Sequence, residues 1–142
     1  MNKRNMKYVL SFLGMCLFLV FAVGTMESED IAEKKVQKEE PALSISAVEL
    51  YADYQANEVA ADQKYKGKVL VITGTVDNIG KDIMDTIYVT LKTNDLIGSV
   101  QCFFSDKYAG EAAQLRKGQK ITVKGRCDGK FMNVLVKGCV LQ

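Results

Sequence analysis

The side chains that usually carry catalysis are scarce in this sequence. The chain of 142 residues contains no histidine, which excludes Ser-His-Asp and Cys-His nucleophilic sites and most zinc-hydrolase sites. Asp77, Asp82 and Asp85 cluster in one predicted loop, but they lack the glycine and the terminal glutamate of a calcium-binding loop. We therefore expect a protein that is not an enzyme and that carries neither a metal nor a cofactor.

Two aromatic residues indicate binding instead. Tyr88 and Phe103 alternate with apolar residues in two predicted strands, so their rings should point away from the core. Lys92 and Gln101 should lie nearby on the same face. An exposed ring can stack on a nucleic-acid base, which contributes about 1–3 kcal/mol per base. These four residues form the predicted ligand-binding face.

The strands that would carry this face are predicted from a period of two. Residues 68–76 are apolar on both faces, whereas residues 86–93 and 98–105 alternate. Two further strands, at residues 119–127 and 132–142, flank a turn at Asp128-Gly129. Residues 77–85 read as a turn, and residues 106–118 as a short helix. Five strands with a helix between the third and the fourth are the order of the OB-fold, a partly open Greek-key barrel.

A helical element at residues 46–66 precedes the barrel. Ser46 and Glu49 have the spacing of a capping box, and Asn57 is a second candidate cap that divides the element into two short helices. Gly67 ends the helical region.

One side of this element is apolar. Leu50, Tyr51 and Tyr54 fall on neighbouring helix positions. Since an apolar helix face needs a partner, we expect these residues to cover the rings of Tyr88 and Phe103. The alternative leaves both rings free for a ligand.

The N-terminal segment predicts export. Three basic residues precede a stretch without charge from Tyr8 to Gly24, as in a secretory signal peptide. Residues 1–24 are therefore a signal peptide cleaved after Gly24 or a retained anchor at residues 8–24. Either reading places the domain in the periplasm or the cell envelope. Residues 25–44 are rich in charge and predict a flexible tether, followed by the OB-fold domain at residues 45–142.

Several quoted stretches also resemble a known family. The segments "LYADYQANEVAADQKYKGKVLVITGTV", "VQCFF", "LRKGQKITVKGRCDG" and "VLVKGCVL" are similar to the tRNA_anti-like family of small bacterial OB-fold proteins. The resemblance covers roughly residues 45–142 and implies an OB-fold and frequent export, with no catalytic residues to transfer. The residues that carry it most specifically are Tyr54, Asn57, Glu58, Ala61, Tyr65, Gly67, Lys68 and Gly74.

Three cysteines follow the leader, and export would permit a disulfide between two of them. We predict Cys127–Cys139, with Cys102 as a buried free thiol. A hairpin about Asp128-Gly129 would place Cys139 opposite Gly118, so this pairing requires a bend in the last strand. No CxxC motif is present, which argues against thiol catalysis.

These observations predict an exported, non-catalytic OB-fold binding module. Its partner would be a protein or an oligomeric ligand such as a glycan. The alternative is a domain that binds single-stranded nucleic acid, supported by the fold and by eleven basic against seven acidic residues at positions 68–142. That charge density is low for a protein that neutralises phosphates.

Overall fold

The computed structural model describes residues 26–142. The predicted signal peptide or anchor, with Cys16, therefore lies outside the described residues. The chain divides into two units, Met1–Ile31 and Ala32–Gln142, and the contacts discussed below lie within the second. None of the helices that the structure describes is long and apolar enough to span a membrane.

The elements follow the predicted order of three strands, a helix and two strands. Their bounds are α1 (Met26–Lys38), β1 (Leu43–Ser46), α2 (Ala47–Ala56), α3 (Glu58–Tyr65), β2 (Val69–Lys81), β3 (Ile87–Leu91), β4 (Val100–Phe104), a 3-10 turn (Asp106–Tyr108), α4 (Ala109–Gln114), β5 (Lys120–Phe131) and β6 (Asn133–Leu141).

The strands close into a barrel with OB-fold topology. They pair in the order β2-β3-β4-β6-β5, and β5 returns to pair with β2. The pairing of β4 with β6 is parallel, and the other pairings around the barrel are antiparallel. The OB-fold prediction is therefore confirmed. Strand β1, which pairs in parallel with the start of β2, is not predicted by the sequence: its first two residues belong to the predicted tether and its last two to the predicted start of the helical element.

The period of two predicted the barrel interior correctly. The residues expected to face inward on the central strands are all buried, whereas their neighbours Tyr88, Gln101 and Phe103 are half-buried on the outer side. The inward set is Ile87, Val89, Leu91, Val100, Cys102, Phe104, Ile121 and Val123.

The predicted turns differ in position from those observed. The Asp128-Gly129 pair lies within β5, where Gly129 has a φ of 87° and the register with β6 shifts. The turn itself is at Met132, between the paired residues Phe131 and Asn133. A glycine with positive φ can form a β-bulge as well as a hairpin turn. The Asp128-Gly129 pair therefore correctly indicated a positive φ, but the residue forms a bulge and not the turn.

Helices close both ends of the barrel. The capping box forms, since the Ser46 hydroxyl accepts a hydrogen bond from the Glu49 N–H at 3.1 Å, and Asn57 caps α3 through the Ala60 N–H at 3.0 Å. Leu50 and Tyr54 are buried in the same core as the inward strand residues. At the other end of β3 and β4, α4 buries Ala112 in that core.

The predicted flexible tether needs correction. The part of α1 that belongs to the second unit ends at Lys38, and its residues Glu33 and Val36 are buried. This part of the segment is therefore an ordered helix. Burial raises the pKa of Glu33, but hydrogen bonds from Lys107 and Ser105 outweigh that effect and lower it overall. This helix is therefore held by a buried carboxylate as well as by an apolar contact. The hydropathy of the sequence does not reveal that a charged residue will be buried in an ion pair, so the docking of the helix is not predicted.

Candidate functional site

An open groove of about 510 Å³ runs across the outer face of β3 and β4. Its floor comes from these strands and from the middle of β2, and its wall is the loop between β3 and β4. Its lining residues are Asp77, Asn78, Tyr88, Thr90, Lys92, Thr93, Asp95, Leu96, Ile97, Gly98, Ser99, Gln101 and Asn133.

The N-terminal helices do not cover this face, so that prediction is wrong. Leu50, Tyr51 and Tyr54 pack against the inward side chains of the barrel. Tyr88 and Phe103 alternate with those side chains and therefore lie on the opposite surface of the sheet. The helices instead bury Leu50, Tyr51 and Tyr54 in the barrel core.

Tyr88 lies across its strand neighbour rather than standing free. It pairs with Gly80 in β2, and a Cβ at Gly80 would approach the Tyr88 Oη to 2.9 Å. The Asn78 side chain also donates to the Tyr88 hydroxyl at 3.5 Å. The glycine therefore leaves room for the Tyr88 ring to lie against β2, and Tyr88 also lines the groove.

A chain of amides orders the floor of the groove. The Asn133 side chain accepts a hydrogen bond from the Ser99 N–H at 3.0 Å and donates to the Gln101 side-chain oxygen Oε1 at 2.9 Å. Because its oxygen is engaged in this way, the Gln101 amide turns its NH2 group away from Asn133. Fixed amides of this kind present hydrogen-bonding groups at low entropic cost.

The wall of the groove is tied to helix α2. The Gln55 side chain donates both to Asp95 at 3.0 Å and to the Tyr51 hydroxyl at 3.1 Å. Hydrogen bonds from the Ile97 and Gly98 N–H groups lower the pKa of Asp95. Gly98 itself is required by a close approach, since a Cβ there would lie 1.7 Å from the Tyr51 Oη.

The charge of the groove is slightly acidic. Asp77 and Asp95 contribute two carboxylates, and Lys92 contributes one ammonium group. The remaining polar lining consists of neutral amides and hydroxyls. This arrangement can hydrogen-bond a neutral ligand, whereas a polyanion would gain little from it.

Three of the four predicted site residues meet in the groove. Tyr88, Lys92 and Gln101 line it, whereas Phe103 does not. Phe103 pairs with Tyr88 across β3 and β4 and is half-buried beyond the end of the groove. The role of these residues in binding stays a prediction.

The sequence did not identify the other half of the groove. Asn78 was assigned to a turn, although β2 extends through it to Lys81. Asn133 lies far from Tyr88 in the chain and comes beside β4 through the pairing of β4 with β6. Asp95 is only seven positions from Tyr88, but the course of the loop after β3 sets its place in the groove wall. Of these remaining lining residues, only Thr90 could have been predicted locally, because it alternates with the inward residues of its strand.

The predicted Cys127–Cys139 disulfide is not formed. Cys102, Cys127 and Cys139 are all free and buried, and Cys127 lies opposite Val136 because the turn is at Met132. The Cys127 thiol lies 3.5 Å from the Tyr54 hydroxyl. Burial raises the pKa of both Cys127 and Cys139, which disfavours the reactive thiolate.

The acidic loop has a structural role. The Asp82 carboxylate accepts hydrogen bonds from the Met84 N–H at 2.8 Å and the Thr86 N–H at 2.9 Å, and Lys81 pairs with Asp85 at 3.1 Å. Over residues 26–142, no group of three or more metal-ligating side chains is assembled.

Comparisons with known proteins agree with the fold. The profile of the tRNA_anti-like family matches residues 1–140. Among curated proteins, none matches the sequence.

Solved structures with similar folds are distant in sequence. A lipoprotein from Klebsiella pneumoniae subsp. pneumoniae MGH 78578, provisionally assigned as nucleic acid-binding, has a TM-score of 0.57 at 16% identity and covers 70% of this chain and 92% of its own. A protein from Leishmania major Friedlin, provisionally assigned as an aspartyl-tRNA synthetase, has a TM-score of 0.47 at 14% identity and covers 69% of this chain and 20% of its own. The first of these supports the fold.

Proposed function

This chain belongs to the tRNA_anti-like family, and we propose that it is an exported, non-catalytic binding module that holds a neutral oligomeric ligand, such as a glycan, in the groove beside Tyr88. The observation that carries this proposal is the groove itself. It remains open on the face of β3 and β4 because the N-terminal helices pack into the barrel end instead.

The chemistry of the lining favours a neutral, hydroxyl-rich ligand. Gln101, Asn133 and Asn78 offer amides that both donate and accept hydrogen bonds, and Thr90 and Thr93 add hydroxyls. Tyr88 supplies one flat apolar surface within this polar lining. Two carboxylates and one ammonium group leave the groove unsuited to a chain of phosphates.

Single-stranded nucleic acid is the second candidate. It is supported by the family name, by the provisional assignment of the Klebsiella lipoprotein as nucleic acid-binding and by the ring of Tyr88, on which a base could stack. The acidic groove and the modest basic excess of the barrel argue against it.

Export is part of the proposal. It is supported by the basic and apolar N-terminal sequence and by the lipoprotein class of the Klebsiella protein. Its test is fractionation of cells that express the full chain, followed by protease treatment of intact spheroplasts. Digestion of the domain outside the cytoplasmic membrane is the expected result, and protection of the domain until the cells are lysed would contradict it.

The ligand class can be tested by NMR titration with two probes. Oligomers of N-acetylglucosamine should shift the amide signals of Tyr88, Gln101 and Asn133, with an affinity that changes little with salt. A single-stranded oligothymidine should bind weakly, if at all. If instead the oligothymidine binds and loses affinity as salt rises, the second candidate replaces the first.

Paired glutamine variants locate the binding. Gln101→Ala removes a groove amide and should weaken oligosaccharide binding about tenfold, the equivalent of one hydrogen bond to an ordered group. Gln114→Ala changes an exposed glutamine at the end of α4 and should leave binding unchanged. Equal effects of the two variants would show that the ligand does not occupy the groove.

A further inference from the structure

Two neighbouring loops at one end of the barrel expose large apolar side chains at their tips. In the loop between β3 and β4, Leu96 and Ile97 are 101% and 92% exposed; in the turn between β5 and β6, Phe131 and Met132 are 78% and 76% exposed. Isolated exposed apolar residues are common, but a cluster of four on adjacent tips marks an interaction surface.

Hydrogen bonds hold the two tips side by side. The Ser99 N–H donates to the Asn133 side chain at 3.0 Å, and the Val134 N–H donates to the Ser99 carbonyl at 3.0 Å. The residues next to the tips are thus linked directly, and the four exposed apolar side chains belong to adjacent loops.

The first tip directs its polar groups inward. The Asp95 carboxylate accepts hydrogen bonds from the Ile97 and Gly98 N–H groups at 2.9 and 2.8 Å, and the Thr93 hydroxyl donates to the Gly98 carbonyl at 2.5 Å. The Ile97 and Gly98 N–H groups and the Gly98 carbonyl can therefore enter an apolar medium without losing hydrogen bonds.

In the second tip, the apolar residue Met132 occupies a backbone conformation that usually takes glycine or asparagine. Met132 has a φ of 59°, in the left-handed region where glycine or asparagine is usual. Phe131 beside it is equally uncovered. Neither side chain contributes to the buried core, so packing within the domain does not account for them.

We propose that these four residues form a membrane-contacting edge, with Leu96, Ile97, Phe131 and Met132 inserted into the interfacial region of a lipid bilayer. The uncharged N-terminal stretch from Tyr8 to Gly24 directs the chain to a membrane. A protein partner would normally also be recognised through hydrogen bonds at the tips, whereas the Ile97 and Gly98 N–H groups and the Gly98 carbonyl are already bonded within the loop. Leu96 and Ile97 also line the groove, but the proposal does not require a ligand there.

The absence of tryptophan from the sequence permits a direct depth measurement. The full chain carrying Phe131→Trp is reconstituted into vesicles of equal parts phosphatidylcholine and phosphatidylglycerol, with or without acyl-chain doxyl lipid. Insertion should lower the tryptophan emission by at least about half in the doxyl vesicles, because the ring reaches the acyl boundary. Ile97→Trp should behave in the same way.

Ile83→Trp is the matched control. Ile83 is as exposed as Leu96 but lies in the turn before β3, at the opposite end of that strand from the loop of Leu96. Its emission should not respond to doxyl lipid. The N-terminal segment is present in every variant. If it only attached the protein to the vesicle, doxyl lipid would quench the tryptophan emission at residues 131 and 83 equally.

Three results would overturn the proposal. The first is the absence of quenching at residue 131, and the second is equal quenching at residues 131 and 83. The third is a concentration-dependent blue shift of the residue 131 emission without vesicles, which would assign the tips to contact between copies of the chain. Each result can be obtained whether or not a ligand for the groove is found.

Discussion

Tyrosines on the helical element and on the groove face show how one residue type serves two purposes. Tyr54 and Tyr65 of the helical element are fully buried, and their hydroxyls donate to Asp62 at 3.0 Å and to Asp53 at 2.5 Å. Tyr88 is half-buried and lines an open groove.

The difference follows from what each ring meets. Inside the barrel end, an aromatic ring removes a large apolar area from water, and its hydroxyl must find a partner. Burial, with the hydrogen bond to Asp62 and the proximity of Cys127, raises the pKa of Tyr54 well above its ordinary range, so this phenol stays neutral. On the outer face, the Tyr88 ring lies against Gly80 and stays partly exposed beside the groove, which leaves surface for a ligand.

The largest expected effect separates Tyr54 from Tyr88. Tyr54→Ala should lower the free energy of unfolding by about 3–5 kcal/mol, because it empties a large buried site. Tyr88→Ala should lower it by less than about 1 kcal/mol, because the side chain is only partly buried and lies outside the barrel core. Urea denaturation followed by circular dichroism measures both. Comparable losses in the two variants would remove the distinction between the regions.

The next effect concerns the buried carboxylate of α1. Glu33→Gln should lower the free energy of unfolding by about 1–3 kcal/mol, since the hydrogen bonds from Lys107 and Ser105 lose their charged acceptor. Glu40→Gln, at an exposed position of the same charged segment, should have almost no effect. Equal stability of the two variants would mean that α1 is not held by Glu33.

The same carboxylate gives a pH dependence with a definite sign. The pKa of Glu33 is lowered in the folded protein from its ordinary value of 4.5, so its contribution to stability is complete above that value. The contribution is lost as pH falls through the lower folded value. The stability difference between the original protein and Glu33→Gln should therefore shrink below about pH 4.5. A difference that stays constant down to low pH would contradict this assignment.

A smaller effect is expected from Gly80→Ala. The added methyl group displaces the far end of the Tyr88 ring, and binding of the groove ligand should fall by up to about tenfold, as when one ring contact is lost. Gly110→Ala is the control, because a Cβ at Gly110 meets nothing within 4 Å. Isothermal titration measures the affinities, and melting curves verify that both variants fold. Unchanged affinity in Gly80→Ala would show that the ring position does not matter.

The cysteines should show the smallest effect. Thiol titration after denaturation should label the same number of cysteines with and without prior reduction, because Cys102, Cys127 and Cys139 are unpaired. Reductant should therefore shift the melting temperature by less than about 1 °C. A loss of two labelled thiols in the unreduced protein would restore the predicted disulfide.

The fold was more predictable than the site for a physical reason. Strand periodicity and the caps at Ser46 and Asn57 are local properties, and the structure confirms them. The groove instead joins Asn78 and Tyr88, on the adjacent strands β2 and β3, to Asn133, which is more than 40 positions further along the chain and arrives through the pairing of β4 with β6. The helix α1 was misjudged because its docking depends on Glu33, whose partners Ser105 and Lys107 lie more than 70 positions away.

The sequence by itself determined the order of the five barrel strands along the chain, the inward side chains, the helix caps and the resemblance to a family. Each of these depends on residues that are neighbours in the sequence. Only the tertiary structure decided that the apolar face of Leu50, Tyr51 and Tyr54 enters the barrel end and leaves Tyr88 uncovered. An apolar helix face specifies that it must be buried, but not against which surface. The helix packs where the contact removes more apolar area from water. The surface that offers this contact forms only when the barrel closes.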